Sequence, residues 1–322
     1  MIRTRLCDLL GIDHPIISAP MAGTAGAALA AAVSAAGAFG LIGGSGGGPE
    51  WLRAEIRAVR AHTDRPFGVG FISSFPGLDD LVQVALEERV TAIGHSFADP
   101  SPYVADAHAA GIKVFAQVQT VAQARAAARA GVDLIAAQGT EAGGHTGYSG
   151  TLPLVPAVVD AAGDIPVVAA GGIGDGRGMA AVLLLGAEGA WIGTRFVASQ
   201  EGSIAAWVKE QVVRATSDDT ILTRAYDLAT AAPFPEGIGD RVLQNDFTAT
   251  WHGRDDEVVA RRAELRGEIQ AAIDAANARV APARAGCAAG LIQGIEPAGE
   301  IVQRIVAEAE GILRERPAQV VR

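Results

Sequence analysis

Between residues 15 and 196 two textures alternate, and this alternation limits the fold more than any single motif does. A short apolar or glycine-flanked run gives way to an Ala/Leu/Arg stretch with helical spacing, and the pattern repeats. The runs are PIISAPM (15–21), AFGLIGG (38–44), PFGVGFI (66–72), VTAIGHSF (90–97), KVFAQVQ (113–119), VDLIAAQ (132–138), PVVAAGG (166–172) and GAWIGTRF (189–196). Helices fit at 26–36, 49–62, 78–89, 102–110, 120–130, 153–162 and 176–185. Four of them stop on a glycine ahead of the next run: Gly37, Gly111, Gly131 and Gly186. Glycine adopts the left-handed conformation that ends a helix at little steric cost. Strands joined through helices run parallel. Eight such units predict an α/β fold, a closed (β/α)8 TIM barrel in preference to an open doubly wound sheet.

After residue 197 the texture changes. EGSIAAWVKEQVVRA and DEVVARRAELRGEIQAAIDAANARV read as helices, and DLATAAPFPEGIGDRVLQNDFTATWHG is broken by Pro and Gly. No further strand is expected. The predicted organisation is a barrel from 1–199 and 286–322, with a mainly helical cap at 200–285 inserted before the C-terminal helix. GEIVQRIVAEAEGILRER supplies the amphipathic helix that closes the barrel.

The length of 322 residues suits one barrel with an added piece, and 49% hydrophobic against 19% charged residues provides a sizeable core. A net charge of −10 argues against nucleic-acid or membrane-surface partners, which need clustered Lys and Arg. Cys7 and Cys287 form neither a CxxC pair nor a metal-type Cys/His spacing, so no metal and no disulfide framework are expected. The N-terminus lacks the apolar core of a signal peptide, and no run resembles a membrane span. A cytoplasmic location follows as an expectation, and the chain is compatible with a homodimer.

Catalytic residues of a barrel sit at the C-terminal ends of its strands. Those ends carry Ala19-Pro20-Met21, Gly70, Gln117 and Gln119, then Gln138, Glu141, Gly143, Gly144 and His145. They finish with Gly171-Gly172-Ile173-Gly174 and Trp191-Ile192-Gly193-Thr194-Arg195. The last two stretches follow the seventh and eighth runs, where barrel enzymes place a phosphate cradle. Glycines let backbone N–H groups approach phosphate oxygens, a helix N-terminus adds partial positive charge, and Thr194 adds a hydroxyl. A Rossmann site is excluded by spacing, since the third glycine of GxGxxG falls where Arg177 stands. A mononucleotide remains, with Ala19, Pro20, Met21, Gly70 and the AQGTEAGGH loop beside its flat ring. Gln117 and Gln138 can bond its heteroatoms. Flavin mononucleotide (FMN) fits this arrangement, the glycines leaving bare backbone for the ring.

His145 can exchange a proton near neutral pH and lies in that loop. His95, on the fourth run, is a second candidate to face substrate or flavin. His14, His62 and His108 fall toward the opposite end, and His252 falls in the cap. Glu141 is expected to hold the loop through backbone N–H groups.

At these residues the sequence resembles the nitronate monooxygenases, through APMAGTAGAALAAAVSAAGAFGLIGG, AQGTEAGGHTG, VVAAGGIGDGRG, GAWIGTRF and AGCAAGLIQGIEPAGEIV. Flavin enoyl-ACP reductases and flavin quinone reductases carry similar strings. The resemblance implies an FMN-dependent oxidoreductase with flavin contacts at Gly70, Gln138, Gly143, Gly172 and 191–194, and His145 as the catalytic histidine. It implies oxidation of an alkyl nitronate with O2 to a carbonyl compound and nitrite. His145 would orient the anion or take a proton from a neutral nitroalkane. Three positions depart from the family: Gly70 replaces an Asn, Gln117 replaces a Lys, and Ala285-Gly286-Cys287 replaces an AGQ-like string. An NAD(P)H-dependent FMN reductase of an enoyl thioester or quinone is the alternative activity. A flavin-free phosphate-ligand barrel is a third.

Overall fold

The computed structural model describes residues 1–321. Its strands, in chain order, are β1 (Ile16–Ser18), β2 (Gly40–Gly43), β3 (Phe67–Ile72), β4 (Ala92–Ser96), β5 (Lys113–Val118) and β6 (Leu134–Gln138). They continue with β7 (Gly144–Thr146), β8 (Val167–Ala170), β9 (Gly189–Ile192), β10 (Thr220–Thr223) and β11 (Gly239–Leu243). Eight of them form one parallel sheet in the order β1-β9-β8-β6-β5-β4-β3-β2. Phe39 N donates to Ile16 O at 2.9 Å and Ser18 N to Phe39 O at 3.0 Å, which brings β2 back to β1 and closes the barrel. The α/β barrel expected from the alternation is the observed fold. Gly37, Gly111, Gly131 and Gly186 all have positive φ at helix ends, as their positions suggested.

Successive side chains of a strand point to opposite faces. Ile17, Phe39, Leu41, Phe115, Leu134, Val168 and Trp191 fill the barrel interior, and Leu6, Leu10 and Ile12 join them from the N-terminal segment. The alternate positions, among them Ile16, Ile42, Val69, Ile93, Val114, Ile135, Ala190 and Ile192, pack outward against the helices. The long helix Ala298–Val320 completes that outer layer against Gly176–Leu184 and Ala27–Ala35. A Cβ on Gly176 would lie 2.5 Å from Ala309 N, so only glycine permits the helices to cross this closely.

The segment 200–285 holds the helices Ala206–Arg214, Ala225–Thr230, Asp246–Trp251, Asp255–Ala260 and Arg262–Asp274. It also holds β10 and β11, which corrects the expectation that strands stop after residue 197. These two pair antiparallel, and β11 pairs antiparallel with β7, the strand that carries His145. The cap has its own core of Tyr226, Phe247, Trp251, Val258, Leu265 and Ile269. Among the described residues no helix is long and apolar enough to cross a membrane.

Candidate active site

A cavity of about 410 Å³ opens at the C-terminal end of the barrel, within the range of about 300–1,000 Å³ usual for ligand sites. The inward-facing positions Gln117, Gln138, Ala170 and Trp191 line its floor, with Ala19, Pro20 and Met21 beside them. Gly143, Gly144 and His145 border it, as do Gly171, Gly172, Gly193 and Thr194. Most residues singled out in the sequence therefore meet around one space.

Three do not. Gly70 faces inward but lies beneath Pro20: a Cβ there would sit 2.3 Å from Pro20 Cγ. Its lack of a side chain makes room for the proline, and Gly70 does not line the cavity. Ile192 has outward parity and is buried in the outer core. His95 shares a strand face with Ile93, so its ring also points outward. It stacks on Tyr103 at 4.9 Å and 6°, and Nδ1 meets Ser73 Oγ at 2.9 Å. Burial pushes the His95 imidazole down to about 4, because a buried ring loses the hydration that stabilises its charged form. His14, His62, His108 and His252 do not line the cavity either.

Gly139, Gly143 and Gly147 in the His145 loop also answer to protein packing, while Gly144 borders the cavity with no close contact at its Cβ position. A Cβ on Gly139 would be 2.0 Å from Thr151 Oγ1, and one on Gly147 would be 2.7 Å from Gln119 Cβ. Gly143 and Gly286 touch back to back, with a Cβ on Gly143 only 2.5 Å from Gly286 N. The 285–287 stretch thus locks onto the His145 loop, and Cys287 N adds a hydrogen bond to Glu141 O at 2.9 Å. Glu141 accepts from Thr151 N and Thr151 Oγ1 at 2.9 and 2.8 Å, the loop-holding part expected of it.

At the other end of the cavity, Gly171 and Gly172 have φ of +100° and +74°. Such consecutive left-handed residues turn the backbone sharply before Asp175 caps the helix Gly176–Leu184 through Arg177 N and Gly178 N. Thr194 Oγ1 accepts from Gly286 N at 3.0 Å, which leaves its O–H as a donor. Arg195 turns away, pairing with Glu296 and donating to Gly294 O at 3.0 Å. The only cation lining the cavity, among the described residues, is Arg284. A phosphate at the glycine end would therefore rest on backbone N–H groups and the Thr194 hydroxyl. A dipolar cradle of this kind fits a phosphoryl group.

His145 is held from three sides. Its carbonyl accepts from Gln138 Nε2 at 3.1 Å, and Gln119 Nε2 in turn donates to Gln138 Oε1 at 2.9 Å. The Gln138 amide is thus committed to the loop, and Gln117 is the amide on the floor without a protein partner. The His145 ring stacks on Phe234 with centroids 3.3 Å apart at 11°. Its Nε2 lies 2.8 Å from Asp227 Oδ1. Asp227, Phe234 and Arg284 all line the cavity, all come from the 200–285 segment, and were not anticipated from the sequence. His145, Asp227 and Asp240 bring ligand-type atoms within 4.8 Å of one another. Arg284, paired with Asp240 at 2.9 Å, already supplies that cluster with positive charge.

Comparison with known proteins assigns this (β/α)8 barrel, with its glycine turns after β8 and β9 and its carboxylate-bound histidine after β6, to the oxidoreductases. The sequence model for nitronate monooxygenase matches residues 3–81 and 73–308, and the chain belongs to that family of flavin-dependent enzymes. FabK of Thermotoga maritima superposes with a TM-score of 0.91 at 38% identity, covering 99% of this chain and 100% of that one. The nitroalkane oxidase of Streptomyces ansochromogenes gives a TM-score of 0.83 at 30% identity, covering 98% and 99%. A Mycobacterium tuberculosis protein, "(3aS,4S,5R,7aS)-5-hydroxy-7a-methyl-1-oxo-octahydro-1H-indene-4-carboxyl-CoA dehydrogenase", is 37% identical over 76% of this chain and 67% of its own.

Proposed function

We propose that the protein binds FMN and oxidises alkyl nitronates with molecular oxygen, giving a carbonyl compound and nitrite. The observation that carries this reading is the single cavity that joins the Gly171-Gly172 and Gly193-Thr194 cradle to His145. One phosphate cradle, with no dinucleotide fingerprint in the sequence, favours a mononucleotide over FAD. Bound FMN would supply the electron-transfer chemistry. The residues do the rest. Backbone at Gly171, Gly172, Gly193 and Thr194 anchors the phosphate, and Gln117 offers its amide to the ring. His145 orients a nitronate anion or takes a proton from a neutral nitroalkane, the acid–base work for which an imidazole suits neutral pH. Phe75, Phe97 and Phe234 make an aromatic wall that excludes water from the reacting carbon. The 200–285 segment acts as the unit that closes the substrate space.

Purified protein should be yellow, release FMN on denaturation, and consume oxygen with a nitronate in the absence of NADH while nitrite accumulates. Bleaching by NADH without oxygen, coupled to an enoyl thioester or quinone and with no nitronate turnover, would replace this reading by the reductase. The cavity's extension past Ile204, Val208 and Pro282, more room than a small nitronate fills, is what favours that second activity.

A further inference from the structure

We propose that Asp227 is the positioning residue that makes His145 a base toward the substrate carbon. The proposal rests on the nitronate or nitroalkane reading of the cavity and adds to it the group that sets the histidine's protonation.

A carboxylate only accepts hydrogen bonds. With Asp227 Oδ1 2.8 Å from His145 Nε2, that nitrogen carries the proton, and the neutral ring keeps its lone pair on Nδ1. Nδ1 has no hydrogen-bond partner among the described residues, and His145 lines the cavity. The pair is well shielded, with side chains 10% and 11% exposed. Shielding makes a charged hydrogen bond stronger than it is at the surface.

The charged groups around the ring are few. Asp227 approaches from the helix Ala225–Thr230. Asp240 lies opposite His145 in the β7–β11 register and is fully buried. Arg284 pairs with Asp240. Asp240 is thus already matched by Arg284, and Asp227 is the carboxylate left to accept from the ring. The step is a proton transfer alone. The Cα–H bond of a neutral nitroalkane breaks, its electron pair moves into the nitro group to give the nitronate, and the proton bonds to His145 Nδ1. Asp227 keeps the Nε2–H and stabilises the imidazolium. No electron leaves the substrate in this step. A preformed nitronate does not need it, and that difference exposes the role of Asp227.

The test compares wild type, Asp227→Asn and Asp227→Glu in flavin-loaded protein, with nitroethane and with ethylnitronate. Asp227→Asn keeps the shape and removes the charge. It should lower nitroethane turnover by about 10²-fold, the scale of an acid–base contribution, while ethylnitronate turnover changes by only a small factor. Asp227→Glu should restore nitroethane turnover. The His145 side-chain nitrogens, assigned by difference against His145→Gln, should show the proton on Nε2 in wild type and lose that preference in Asp227→Asn. Equal losses on both substrates, or an Nε2–H tautomer unchanged in Asp227→Asn, overturn the proposal. If wild type turns over neither compound, the nitronate reading fails, and the tautomer still decides whether Asp227 governs His145.

Discussion

Two histidines at strand ends make an instructive pair. His95 and His145 each lie flat on an aromatic ring, Tyr103 and Phe234, and each holds one side-chain hydrogen bond. They differ in where the strand points them and in what meets the nitrogen. Outward parity puts His95 among helices, with a neutral hydroxyl as partner and no access to the cavity. His145 stands on a strand outside the barrel sheet, faces the cavity and meets a carboxylate. Similar packing thus yields a structural imidazole in one place and, on the proposed function, a reactive one in the other, with orientation and partner charge as the difference.

The strongest way to break this contrast is to remove each ring. His145→Ala should retain flavin and lose turnover by about 10²-fold or more, measured as oxygen uptake with nitroethane. His95→Gln should leave that rate within a small factor; a comparable loss there would erase the distinction. The next effect is on stability. The folded pKa of His95, about 4, lies below its unfolded value of 6.5. Stability from keeping the ring neutral is full above pH 6.5 and declines as pH falls toward 4, by at most about 3 kcal/mol. Urea midpoints between pH 7 and pH 4 should show this slope in wild type and lose it in His95→Gln.

Smaller effects sharpen the picture of the His145 side. Gly172→Ala forces a side chain onto a φ of +74° with its Cβ 3.3 Å from Glu141 Cβ. A left-handed Ala costs roughly 1–2 kcal/mol, so flavin should bind about tenfold more weakly, read as a shift in its titration by fluorescence. The cause is the bent backbone at a position where φ is +74°. Phe234→Ala uncovers the His145 face. It should cost about 0.5–1.5 kcal/mol of stacking and lower the KM for branched nitronates relative to ethylnitronate. An unchanged ratio would mean that Phe234 does not limit access.

The barrel was legible because its signals are local. Helix-stop glycines, apolar runs of strand length and Ala-rich crossovers each act within one element. Gln117, Gln138, Trp191 and the two glycine cradles could be placed for the same reason. The misplacement of His95 was avoidable, since Ile93 and His95 are two apart and share an outward face in VTAIGHSF. The parity of Ile192 could have been read likewise. Gly70 carried no such signal, because its inward space is taken by Pro20, two residues past the end of β1. Asp227 lies 82 residues from His145, on a helix whose orientation is fixed by the cap's own core. Nothing local to DLATAAPFPEG announces that contact. β10 gives little signal because it is four residues long and flanked by polar residues, and β11 because it is short and follows the Pro and Gly breaks of PFPEGIG.

The three-stranded ribbon β7–β11–β10 has an engineering consequence. The histidine strand is an edge of a sheet whose other members come from 200–285, so a cap transplanted from a relative brings a new pairing partner for the reactive ring as well as a new roof. A shift of one residue in that ladder would turn His145 to the opposite face. Chimeras that retain activity are therefore expected to keep GDRVL and GHT together from the same parent.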